Sequence, residues 1–208
     1  MTHPTQAPAA FDGQVVELRQ YTLHRGRRAE LVSLFEREFI EPQQAVGLQV
    51  LGIFVDADDA DHFVWFRGFA DMAARGSGLP AFYGGPAWQA HRDAANATMI
   101  DSDNVLLLRP VTAWPSGAAA SGAWFALLCP LAQAPDQSLR QALREHGACW
   151  LETETAENNF PRLPVRSGEP FAVGLAQQPI VLPAALQARL AAPPQTLRLL
   201  PTRRSMLR

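Results

Sequence analysis

The segment Val15–Leu23 reads VVELRQYTL and sets charged groups into a β-strand pattern. Successive side chains of a strand point to opposite faces, so Glu17, Arg19 and Tyr21 share one face and the even-numbered residues share the other. Neither face is purely apolar. The segment therefore predicts a first strand whose odd face holds ionisable groups beside apolar ones.

Outward from this strand, the pattern alternates between helix and strand periods. Apolar residues at three- and four-residue steps after the turn at residues 24–26 predict a helix, with Pro42 closing its first part. Two β-rich runs, 48–55 and 62–69, flank an acidic turn at 56–61 and predict a hairpin. An Ala-rich helix after Asp71, interrupted by glycines and Pro80, precedes a helix over 86–99 and a strand over 104–109.

This order is that of the ferredoxin-like βαββαβ unit, an antiparallel sheet with both helices on one face. Residues 123–208 repeat the order with strands near 123–129, 149–155, 171–176 and 196–200 and helices near 136–146 and 183–190. We predict an α+β protein of two tandem ferredoxin-like units, residues 14–110 and 123–208, with a flexible arm at 1–13 and a linker at 111–122. Each bare sheet face needs cover, which a second sheet supplies within the chain or between chains.

Composition narrows the functional classes. The 208 residues are 48% hydrophobic and carry a formal charge of −2, without blocks of one sign, so we expect no nucleic-acid partner. Every one of the 18 cationic residues is arginine, which excludes a Schiff-base or P-loop lysine. No Rossmann, Walker or GxSxG pattern is present. Dehydrogenases, nucleotidases and serine hydrolases therefore have no support in the sequence.

The two cysteines and the N-terminus bear on the cellular setting. Cys129 and Cys149 lie among apolar residues and form no CxxC pair, so we predict reduced thiols in the core. Residues 1–13 lack a cationic start followed by an apolar stretch, and no apolar run is long enough for a membrane span. We expect a cytoplasmic protein without a membrane partner.

Four stretches carry a family resemblance: residues 82–99 (FYGGPAWQAHRDAANATM), 101–110 (DSDNVLLLRP), 17–23 (ELRQYTL) and 63–69 (FVWFRGF). Over about residues 15–110 the chain closely resembles bacterial NIPSNAP family proteins. The resemblance implies the dimeric α/β barrel superfamily, in which two ferredoxin-like sheets close on one another. It also implies a homo-oligomer, or a pseudo-dimer within one chain. The superfamily includes cofactor-free oxygenases, haem-degrading enzymes, isomerases and ligand binders, so fold alone assigns no activity.

The first candidate site is the polar face of the N-terminal sheet. In the 4-1-3-2 strand order of this fold, the strand holding Glu17 and Arg19 neighbours the one holding Trp65 and Arg67. One interpretation is a structural ion pair of Glu17 with either arginine, since buried charges persist when paired. The other is anion recognition, with Arg19 and Arg67 as anchors and Tyr21 and Trp65 as walls for a flat ligand.

The second candidate is the segment from residue 82 to residue 96. Trp88, His91, Arg92 and Asn96 recur at near-helical steps, so some of them share a face towards the sheet. An imidazole in an apolar pocket could remove a proton from a phenol or from a carbon beside a carbonyl. We therefore consider His91 as a base, Tyr83 and Asn96 as its partners, and Trp88 as a wall. A packing or surface role for His91 is the alternative.

Two functional hypotheses follow. The first is a barrel protein that binds a small apolar or aromatic molecule, neutral or anionic, with cofactor-independent isomerase or oxygenase chemistry if it is an enzyme. The second is a non-catalytic, self-associating module whose buried polar residues fix the barrel. We predict no cofactor and no metal: the turn at 56–61 lacks the glycine and glutamate of an EF-hand loop. Haem ligation stays open.

Overall fold

The computed structural model describes residues 11–115 and 122–208. The first half contains strands and helices in the order β1 Val15–Leu23, α1 Arg28–Glu38, α2 Ile40–Ala45, β2 Gln49–Asp56, β3 His62–Phe69, α3 Met72–Gly84, α4 Pro86–Asn96 and β4 Met99–Pro110. The second half contains β5 Trp124–Pro130, α5 Gln137–Glu145, β6 Cys149–Thr153, β7 Phe171–Ala176, α6 Ala184–Gln187 and β8 Gln195–Pro201.

The eight strands form one closed barrel in the order β1-β3-β2-β8-β5-β7-β6-β4, and all the pairings are antiparallel. The N-terminal four strands follow the order β4-β1-β3-β2, as predicted for the first sheet. Two short seams, β2 with β8 and β4 with β6, join the halves. The barrel thus closes within a single chain.

Side chains fill the barrel. The even-numbered residues Val16 and Leu18 of β1 meet Ala126 and Leu128 of β5 in one apolar cluster. Eight strands enclose a space that side chains can fill, which is why this interior is a core and not a channel. The odd face of β1 lies against the helices, so nearly the whole strand is buried on both sides. Both faces of β1 are thus buried although neither face is purely apolar.

The helices cover the outer sheet faces, with two differences from the prediction. The first helix breaks at Phe39 instead of Pro42, and Pro42 lies in the first turn of α2, where its missing N–H costs no hydrogen bond. Helix α3 runs unbroken through Gly78 and Pro80. Gly78 lies where a Cβ would come within 2.4 Å of the Leu48 side chain, so tertiary packing explains the glycine.

The predicted arm and linker lie partly outside the described residues, which begin at residue 11 and omit 116–121. The described parts differ from the prediction. Phe11 is buried, and its ring packs edge-on against Trp114 at 6.1 Å in the barrel core. These two aromatic residues therefore belong to the folded domain.

The second half confirms the predicted strands but has less helix. Helix α6 covers only four residues, whereas 183–190 was predicted. Cys129 and Cys149 are buried and unpaired as predicted, and burial raises the pKa of each thiol to about 12. A long loop, residues 154–170, connects β6 to β7.

Across the described residues, no helix has the length and apolar character that crossing a bilayer requires.

Candidate functional site

A buried cluster of four charged residues lies between the first sheet and its helices. The Glu17 Oε2 atom accepts hydrogen bonds from Arg19 Nη1 at 3.0 Å and from Arg67 Nη2 at 2.6 Å. Its Oε1 atom accepts from Arg75 Nε at 2.8 Å. All four side chains are at most 1% exposed. We call Glu17, Arg19, Arg67 and Arg75 the arginine cluster.

The cluster carries a surplus of positive charge. Three guanidinium groups surround one carboxylate, which leaves two positive charges without an acidic partner inside the cluster. Burial alone would raise the pKa of Glu17, but the charges of Arg67, Arg19 and Arg75 outweigh burial and lower it to about 2. Glu17 is therefore ionised at neutral pH. The surplus makes this side of the sheet attractive to anions.

Both tyrosines of the chain accept hydrogen bonds from the cluster. Arg19 Nε donates to the Tyr21 hydroxyl at 2.8 Å, and Arg67 Nη1 donates to the Tyr83 hydroxyl at 3.4 Å. Burial raises the pKa of Tyr21, so its hydroxyl keeps its proton at neutral pH. Because each oxygen already accepts an N–H bond, its own proton is available to another acceptor.

A cleft of about 430 Å³ opens above the arginine cluster. Its floor includes Arg19 and Tyr21, and its walls come from α3, α4, the start of β4 and the 154–170 loop. The lining residues are Arg19, Tyr21, Tyr83, Trp88, Arg92, Asp93, Asn96, Met99, Ser102, Asp103, Phe160, Arg162, Leu163 and Pro164. Aromatic walls above cationic and hydroxyl donors match the features of a site for a small organic anion.

The second half of the chain supplies one wall of this cleft. Phe160 stacks on Tyr83 with ring centroids 5.9 Å apart and planes 15° apart. The loop is held by the arginine cluster, since Arg75 Nη1 donates to the Oδ1 atoms of Asn158 at 2.9 Å and Asn159 at 2.8 Å. The cleft is therefore built by both halves.

Five of the predicted site residues line the cleft; they are Arg19, Tyr21, Tyr83, Trp88 and Asn96. Two others, Trp65 and Arg67, lie behind the floor. The Arg67 guanidinium is fully buried and lies 5.0 Å from the centroid of the Trp65 ring. Trp65 faces only a small adjoining cavity of about 30 Å³. Arg67 therefore does not line the cleft, and its connection to the cleft runs through the hydrogen bond to the Tyr83 hydroxyl.

His91 does not line the cleft, which corrects its proposed position beside Tyr83 and Asn96. Its Nε2 atom lies 3.3 Å from the Glu38 carboxylate of α1. At 100° per residue, the cleft-facing residues Trp88, Arg92 and Asn96 occupy one stripe of α4, and His91 is turned from that stripe towards α1. The structure therefore places His91 outside the cleft lining, beside Glu38.

Sequence reasoning missed Arg75 and the 154–170 loop. Arg75 is a single charge in an Ala- and Gly-rich helix, and the only signal for its role is that an arginine on the buried face of a helix needs an acidic partner. The loop has no hydrophobic periodicity from which its position could be predicted.

Within 11–115 and 122–208, no three His, Cys, Asp or Glu side chains come together as metal ligands.

Solved structures share the fold over both halves. A proposed monooxygenase from Fusobacterium nucleatum is 10% identical, with a TM-score of 0.60 over 92% of this chain and 94% of its own. A second proposed monooxygenase, from Lactobacillus acidophilus, is 12% identical, with a TM-score of 0.58 over 91% and 94%. At these identities the likeness shows the fold alone.

The family resemblance is confirmed for the N-terminal half. An uncharacterised NIPSNAP domain protein from Burkholderia xenovorans is 17% identical, with a TM-score of 0.44 over 49% of this chain and 99% of its own. No protein with a curated description matches the chain. The NIPSNAP family model matches residues 16–115. Residues 16–115 thus match the NIPSNAP family, and this matched half of the barrel holds the arginine cluster.

Proposed function

We propose that the cleft binds a small organic anion with a flat, largely apolar body. The observation that carries the proposal is the surplus positive charge beneath the cleft, of which Arg19 is the member that lines the floor. An anion at Arg19 also accepts a hydrogen bond from the Tyr21 hydroxyl, whose oxygen is already bonded to Arg19 Nε. Trp88 and Tyr83, 4.9 Å apart between ring centroids, supply the apolar surface for the body.

The proposal includes an arrangement in which two ferredoxin-like units form a pseudo-dimer within the chain. In that arrangement the NIPSNAP half carries the recognition groups and the second half covers the sheet. The alternative function is a purely structural one, in which the arginine cluster only ties β1, β3 and α3 together. The two alternatives differ in one measurable respect, because a structural cluster has no ligand.

Calorimetric titration with benzoate and with its neutral isostere benzamide tests the proposal. We expect benzoate to bind at least tenfold more tightly, because the carboxylate meets Arg19 and Tyr21 while the amide adds no charge. Tyr21→Phe removes the hydroxyl, keeps the ring and should weaken benzoate binding. Equal affinity for both compounds, or binding of neither, would favour the structural alternative.

A second candidate function rests on the paired tyrosine hydroxyls. Two O–H donors above a cationic cluster stabilise an enolate more than the neutral ketone, which is the requirement for isomerase or cofactor-independent oxygenase chemistry. The Asp103 carboxylate, exposed in the cleft, is a proton acceptor there in place of His91. The reaction would begin with transfer of the α-proton to Asp103 as the C–H electron pair moves into the enolate.

Exchange of the α-proton in deuterated water tests this second candidate. Phenylpyruvate in the presence of the protein should exchange its benzylic protons faster than in buffer, as followed by proton NMR. Asp103→Asn and Tyr21→Phe should each slow the exchange by about 100-fold. His91→Ala is the matched control and should leave the rate unchanged, because that side chain lies against Glu38.

A further inference from the structure

The 154–170 loop places an unpaired cation at the mouth of the cleft. Three arginines line the cleft, and two of them have acidic neighbours: Arg19 bonds Glu17, and Arg92 Nε lies 3.4 Å from Asp93. Arg162 is exposed, and its guanidinium has no hydrogen-bond or ion-pair partner among residues 11–115 and 122–208. It is therefore the cleft cation whose charge is free for a ligand.

The two cationic residues Arg19 and Arg162 lie at different depths of the cleft. Arg19 is 1% exposed and marks the floor, whereas Arg162 is solvent-exposed and marks the mouth. The rings of Tyr83, Trp88 and Phe160 lie along the walls. A ligand that spans the cleft would meet a positive group, then apolar surface, then a second positive group.

The position of Arg162 is set by contacts on both sides of it in the loop. Asn158 and Asn159 accept from Arg75, and the Asn159 side chain donates to the Met72 carbonyl oxygen at 2.5 Å. Further on, the Arg166 amide donates to the Val105 carbonyl oxygen at 2.8 Å. These bonds hold the loop on the N-terminal half, so the backbone on both sides of Arg162 is anchored beside the cleft.

We propose that the cleft selects an organic dianion, such as an aromatic dicarboxylate, and that Arg162 of the second half recognises the outer charge. The proposal rests on the proposed function, since Arg19 must bind the inner charge. Asp103 at the same rim repels part of the second charge. The net preference is therefore the attraction of Arg162 diminished by the repulsion of Asp103.

Among the described residues of the second half, the place that matches the arginine cluster is apolar. In the second half, the helix-facing residues of β5 are Leu127 and Cys129, which pair with Gly174 and Ala172 of β7. The Trp150 ring lies where a Cβ on Gly174 would come within 2.9 Å. Apolar side chains occupy the corresponding region of residues 122–208, so the second half contributes a wall of the cleft and no second arginine cluster at the matching position.

Titration calorimetry with benzoate and isophthalate at fixed ionic strength tests the proposal. We expect one ligand per chain and about fivefold tighter binding of isophthalate, which is the scale of one partly exposed ion pair. Arg162→Gln should abolish this preference and leave benzoate affinity within twofold, and Arg162→Lys should restore most of it. Asp103→Asn should increase the preference for isophthalate over benzoate.

Arg144→Gln, which removes an exposed arginine of the second half outside the cleft, is the matched control and should keep the preference. An unchanged preference in Arg162→Gln, no preference in the native protein, or two ligands per chain would overturn the inference while leaving the anion site intact. Failure of the native protein to bind either compound would instead refute the proposed function. Both arginines are exposed, so neither substitution disturbs the core.

Discussion

The Glu17 Oε2 atom lies 2.6 Å from Arg67 Nη2, and neither side chain has measurable exposure to solvent. The two residues are direct neighbours across β1 and β3, so the sheet register places their side chains on the same face. Arg75 reaches the other carboxylate oxygen from α3. One carboxylate thus joins two strands and a helix, and it holds the positive charge that we assign to ligand recognition.

Removing the charge of Glu17 should destabilise the protein strongly. Glu17→Gln leaves three buried guanidinium groups without their shared carboxylate, and the expected loss in the free energy of unfolding is about 3–5 kcal/mol. Urea denaturation measures it. Glu30→Gln, which removes an exposed partner of Arg27, is the control and should cost less than about 1 kcal/mol. Similar losses in the two variants would contradict the role of the arginine cluster.

The same carboxylate should make the fold sensitive to acid. The pKa of Glu17 is about 2 in the folded protein, below its ordinary value of 4.5. The ionised form therefore stabilises the fold above about pH 4.5, and this stabilisation, about 3 kcal/mol, is lost as the pH falls towards 2. Carbon-13 NMR of labelled glutamates measures the pKa directly. A Glu17 midpoint near 4.5 in the folded protein would refute this prediction.

Replacement of His91 should leave ligand binding intact. The side chain lies outside the cleft beside Glu38 and is one-third exposed, so His91→Ala should change benzoate affinity by less than twofold. The cost in unfolding free energy should stay below about 1 kcal/mol, as expected for a partly exposed pair. Calorimetry and urea denaturation provide the two measurements. A tenfold loss of affinity would place His91 back in the site.

Two glycines of α3 should respond to alanine in opposite directions. At Gly78 a Cβ would come within 2.4 Å of the Leu48 side chain and 3.1 Å of the Val46 carbonyl oxygen, so Gly78→Ala should destabilise by about 1–3 kcal/mol. At Gly84 a Cβ meets nothing within 4 Å, and Gly84→Ala should stabilise by up to about 1 kcal/mol. Thermal unfolding of both variants gives the comparison. A stabilising Gly78→Ala would show that α3 is not packed closely on Leu48.

The order of strands and helices and the family of the first half can be predicted from the sequence. An apolar period of three to four residues located α1, β-rich runs around an acidic turn located the β2–β3 hairpin, and Pro86 located the start of α4. The alternation of side chains along a strand placed Glu17 and Arg19 on one face. Local spacing therefore sufficed to name Arg19, Tyr21, Tyr83, Trp88 and Asn96 as residues of the cleft.

The contacts among the charged residues and the position of the cleft depend on the three-dimensional fold. Arg75 joins Glu17 from 58 positions along the chain, and Phe160 reaches Tyr83 from the other half, so no local pattern encodes either contact. His91 illustrates the reverse: it is close to Trp88 and Asn96 in sequence, but the helical rotation turns it to another face. Closure of the barrel brings the 154–170 loop next to the first sheet, where side-chain hydrogen bonds hold it on the N-terminal half. The loop then forms the last wall of the cleft.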